Sequence, residues 1–183
     1  MNRTLLAGLL GGVAMFAWAS IAHMALPLGG TGISEIPGEP AVLNSMQAAL
    51  GSNAGMYMFP AMPSDSDMKV YGQKLAVNPS GILIYRPPGA TMLEPSQLII
   101  EFLTETLEAL IAVWLLTQTR IYSFGARVGF FAVIGILCSL GTNVSYWNWY
   151  GYPGSYTLVY MMIQIVEFLV AGVVAASLLR KTA

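Results

Sequence analysis

The sequence predicts an all-α membrane protein: a four-transmembrane-helix bundle with a small extracytoplasmic α/β insertion between helices 1 and 2. Three observations carry that prediction. Four apolar runs, 4–26, 98–118, 127–147 and 156–179, are long enough to cross a bilayer core, which takes roughly 20 helical residues. The 183 residues are 56% hydrophobic and only 9% charged, where soluble domains carry roughly 25% charge. Polar residues inside the last three apolar runs recur at helical spacing, so they share faces.

Composition also excludes whole classes. A net charge of −1 with scattered basic residues leaves no handle for nucleic acid. The single cysteine, Cys138, excludes an internal disulfide and a thiolate metal site. No phosphate-binding loop, haem-attachment pair, HExxH or dinucleotide fingerprint is present. No enzyme is expected. Hydrolysis would want a histidine, a carboxylate and a nucleophile, and only His23, Glu101 and Ser20 offer themselves.

Helix 1 opens behind Arg3 and ends at Pro27, which cannot continue a helix. Ala17-Trp18-Ala19 also resembles a signal-peptide cleavage site, but the segment is expected to stay as a membrane anchor. Its Gly8 and Gly12 have the spacing that lets helices approach closely, within the chain or in a homo-oligomer.

The 27–97 segment is too long for a connector and too short for a robust core. A first stretch to Pro40 should be extended, and Glu39-Pro40 should open a short helix to Leu50 with Val42, Met46 and Ala49 on one face. Met56–Pro60 and Gly81–Arg86 read as two strands that pair. Asp65 and Asp67 are placed to start a helix through Leu75. The resulting cap is expected to rest on the outer membrane face, as a lid, a docking platform or a structured connector.

Arg3, Arg120, Arg127, Arg180 and Lys181 flank span ends on one side, which puts both termini in the cytoplasm and 27–97 outside. At the outer rim, Tyr146, Trp147, Trp149, Tyr150 and Tyr152 form an interfacial aromatic belt. Trp147–Gly154 is expected to be a tight turn held in it. A docking edge for lipid, quinone or a partner is the functional alternative.

The polar seam is the main candidate site. Helix 2 carries Glu101, Glu105 and Glu108 at i, i+4, i+7. Helix 3 carries Ser139, Asn143 and Tyr146, and helix 4 Tyr160, Gln164 and Glu167, at the same spacing. Counting inward places Glu108 and Glu167 near the bilayer centre, with His23 near the outer surface as a candidate ligand. Intramembrane carboxylates usually face a bundle interior or a wet cavity, so the faces should converge. If Glu108 and Glu167 meet, both cannot ionise; they are then protonated and hydrogen-bonded, or they hold a cation. Four readings stand: interhelical hydrogen bonding, a proton or cation path, a metal at His23 with Glu101 or Glu105, and a quinone-like ligand. One histidine and no thiolate cluster is thin for a transition metal, so no metal and no cofactor are expected, with bound lipid or quinone the exception.

The run Trp18–Gly29, with Met56–Pro60 and Tyr146–Pro153, resembles a family of bacterial four-span inner-membrane proteins to which no activity attaches. The resemblance covers most of the chain. It implies an inner-membrane location and carries over no functional residue. The expected function is a non-catalytic accessory or scaffold subunit, partnered by other membrane-protein subunits in the bilayer. The alternative is a small proton- or cation-linked transporter or channel using the glutamate seam.

Overall fold

The computed structural model describes residues 3–62 and 67–179. The expected roles of Asp65 in starting a helix, and of Arg180 and Lys181 in orientation, lie outside those residues. The chain divides into two compact units, Met1–Ile33 with Leu93–Ala183, and Ser34–Met92.

The first unit is helical. Helix α1 (Arg3–Ser20) continues into a π turn, Ile21–Ala25. Helix α4 (Pro95–Thr117) starts three residues before the expected boundary, because Glu94 and Gln97 form a reciprocal capping box around Pro95. Helix α5 (Phe124–Ser139), capped by Ser123, passes through a second π turn, Leu140–Val144, into α6 (Ser145–Tyr150). Helix α7 (Gly154–Leu178) closes the chain. The expected Trp147–Gly154 turn is shorter than predicted: residues to Tyr150 are helical, and the chain reverses at Gly151, whose φ of +73° suits glycine at a helix end.

Three of these stretches, Arg3–Ala25, Phe124–Tyr150 and Gly154–Leu178, are long and apolar enough to cross a membrane. Helix α4 matches them in length at 23 residues but places Glu101, Glu105 and Glu108 within two turns.

Small residues set the packing. A Cβ on Gly12 would lie 2.5 Å from the Cα of Thr106, and one on Gly8 3.0 Å from the Cα of Leu110. The Gly8/Gly12 pair is therefore spent inside the chain, against α4. Between α5 and α7 the fit is reciprocal. Phe131 covers Gly172, where a Cβ would meet it at 2.7 Å, and Phe168 covers Gly135 at 3.0 Å. Both rings are fully buried. Helix α1 thus packs on α4 and α7, and α7 on α5, whereas α4 meets α5 and α7 at only a few residues. The neighbour order is α4, α1, α7, α5, and the array is open between α4 and α5.

The second unit holds α2 (Glu39–Leu50), β1 (Gly55–Phe59), α3 (Met68–Val77) and β2 (Gly81–Tyr85). The strands pair antiparallel, from Gly55 with Tyr85 to Phe59 with Gly81. Gly38, at φ +72°, and Pro40 start α2; Asp67 caps α3 by accepting from the Lys69 amide at 2.8 Å. Neither helix buries a residue. Tyr85 is the buried anchor, its hydroxyl donating to the Gly51 carbonyl at 2.8 Å. Met56, Met58 and Ile84 stay exposed on one face of the two-stranded sheet.

Candidate functional site

Four helical segments of the first unit meet around a cleft of about 300 Å³. The π turn after α1 supplies His23, α4 supplies Glu101, and the π turn after α5 supplies Thr142 and Asn143. Tyr146 comes from α6, and Tyr156, Tyr160, Ile163, Gln164 and Glu167 come from α7, with Tyr152 from the connecting turn. Eight seam, belt or ligand candidates from the sequence are thus brought together: His23, Glu101, Asn143, Tyr146, Tyr152, Tyr160, Gln164 and Glu167. Among the described residues, no lysine or arginine lines the cleft.

Its wall is a run of tyrosines. Tyr156 and Tyr160 stack with centroids 4.1 Å apart, Tyr152 and Tyr156 lie at 5.4 Å, and Tyr146 and Tyr152 at 5.5 Å. The Tyr160 ring meets His23 edge-on at 5.5 Å, and its hydroxyl donates to the Gly29 carbonyl at 3.4 Å. Asn143 donates to the Ser139 carbonyl at 3.1 Å and to the Gln164 side chain at 3.3 Å, tying α5 to α7. Helix continues to Tyr150 rather than ending at Trp147, so Asn143 lies deeper and reaches Gln164. The Trp18 indole donates to the Ile163 carbonyl at 3.0 Å, bracing α1 against α7 beside the cleft.

The remaining seam residues sit elsewhere. Ser139 is buried and donates to the Ile136 carbonyl of its own helix at 2.9 Å. Glu108 is half-buried, one helical face with Glu101 but outside the cleft lining. Glu105 lies a turn from Glu101, 3% exposed, and neither of its carboxyl oxygens has a hydrogen-bond partner. A buried polar group without a partner is costly, and among the described residues Glu105 and the neighbouring Thr106 hydroxyl are so placed.

The belt divides by face. Tyr146 and Tyr152 join the cleft wall, while Trp147, Trp149 and Tyr150 are exposed at the rim. Among the described residues, no three His, Cys, Asp or Glu side chains are arranged to hold a metal ion.

Sequence reasoning missed the π turns, which present His23, Thr142 and Asn143; such irregular turns have no sharp sequence signature and recur at functional sites. It also took Arg127 only as a charge at a span end. Arg127 is 5% exposed and donates to the carbonyls of Ile121, at 3.1 Å, and Leu179, at 2.7 Å. It thereby satisfies the carboxyl end of α7, where a cation is favoured. Ser123, a capping residue type four positions earlier, was the available signal that the helix starts before Arg127.

No family model, curated protein or solved structure matches this chain.

Proposed function

We propose that the chain is a non-catalytic accessory or scaffold subunit of a larger complex in the bacterial inner membrane. In this reading α4 is a fourth span, both termini are cytoplasmic, and the Ser34–Met92 unit is extracytoplasmic. The carrying observation is the open side between α4 and α5. It leaves Glu101 and Thr104 exposed and Glu108 half-buried on a helix that would cross hydrocarbon. A charged residue at the centre of a span costs on the order of 2.5–3.5 kcal/mol even by insertion scales. Such a face needs cover, and a helix from another subunit laid into the gap supplies it. The exposed Met56, Met58 and Ile84 face of the two-stranded sheet offers further apolar surface to a partner.

A photoreactive aryl-ketone residue at Thr104, in native membranes, tests this. The expected result is one protein adduct of fixed mass; adducts with lipid alone contradict the proposal.

A second reading, a small proton- or cation-linked transporter or channel, is favoured by the buried, unpartnered Glu105 on the helix that also supplies Glu101 to the cleft. Ion flux into proteoliposomes that is abolished by Glu105→Gln supports it, and flux that is unchanged or absent removes it.

A further inference from the structure

We propose that the cleft binds a small organic ammonium ion, its charge between Glu101 and Glu167 and its hydrocarbon part against the Tyr156–Tyr160 wall. Two carboxylates line the cleft with no lysine or arginine among the lining residues. That disfavours an anion and leaves two carboxyl groups with no cationic side chain among the lining residues to meet them. Glu105, one turn further along the same helix, is not among the residues that line the cleft and takes no part in the site.

The walls decide which cation. A bare metal ion wants three or more hard ligands in a tight shell, and among the described residues none are so arranged. An alkylammonium needs less: one or two carboxylates and aromatic faces, whose negative quadrupoles attract a cation. Tyr146, Tyr152, Tyr156 and Tyr160 form a continuous chain of rings, each within 5.5 Å of the next, counting Tyr146 to Tyr152 to Tyr156 to Tyr160. At about 300 Å³ the cleft falls at the small end of ligand sites. Tyr160 is held by its hydroxyl bond to Gly29 and by His23 on its edge, so the wall is fixed before any ligand arrives.

The experiment is calorimetric titration of the full chain, with whatever accompanies it on extraction, in nanodiscs. The probes are choline, n-butylammonium and 3,3-dimethylbutan-1-ol, the neutral carbon isostere of choline. At least one ammonium should bind. Choline, if it is the one bound, should bind at least tenfold more tightly than its isostere. Glu101→Gln and Glu167→Gln should each weaken the bound ammonium about tenfold, Tyr160→Leu severalfold, and Glu35→Gln, in the other unit, not at all. Unchanged thermal midpoints certify the variants. The proposal is overturned if neither ammonium binds at millimolar concentration, or if choline and its isostere bind alike. Displacement of the ammonium by equimolar sodium or calcium overturns it too, as does binding that is indifferent to both glutamine variants. Binding is read independently of any partner and of any flux, so its failure leaves the subunit reading standing, and the reverse.

Discussion

At the scale of single residues, Glu105 and Arg127 are opposite cases of buried charge. Arg127 donates to the Ile121 and Leu179 carbonyls, so its burial is compensated. Removing it by Arg127→Ala leaves the Leu179 carbonyl at the end of α7 without its donor, and we expect a loss of about 2 kcal/mol. Arg127→Lys should recover only part of this, because one ammonium does not reproduce the planar fork. Thermal unfolding in detergent measures both. Glu105 has no such compensation. Glu105→Leu should therefore raise the thermal midpoint, by the equivalent of about 1–3 kcal/mol. A lowered midpoint would mean that Glu105 has a structural partner. That Glu105 shares a face with Glu101 and Glu108 was legible from their spacing alone. That it alone of the three is buried was not, because burial depends on which helix covers which side.

At the scale of elements, helix contacts rest on glycines whose spacing is visible and whose partners are not. Gly8 and Gly12 declared a close approach in the sequence, but only the fold shows Thr106 and Leu110 on the other side. Gly12→Leu should therefore force α1 from α4 and cost about 1–3 kcal/mol by overpacking. Gly129→Ala, where nothing lies within 4 Å of the added carbon, should be neutral or slightly stabilising. The two midpoints compared in one detergent check the pair; equal effects would contradict the packing. Gly135 and Gly172 passed unnoticed, although Gly172 with Ala176 repeats the small-xxx-small spacing on α7. The π turns were the least legible elements. A regular 3.6-residue period carries Ser139, Asn143 and Tyr146 to one face, whereas the wider turn between them leaves Ser139 buried and gives the cleft the other two.

At the scale of the whole chain, composition and four long runs made the helical membrane class legible, and the strand pairing followed from two short apolar runs stopped by proline. Neighbour order did not follow. Nothing in the periodicity of α4 tells whether α5 closes against it, and that gap is where the carboxylate face lies open. The proposed subunit role turns on whether another protein fills it. Native mass spectrometry of the chain extracted gently from its own membranes tests this most directly. The predicted result is a complex of fixed composition, in which this chain travels with at least one larger membrane subunit and is released when Thr104 is replaced by a bulky residue. A bare monomer under the mildest extraction, indifferent to Thr104, would contradict it.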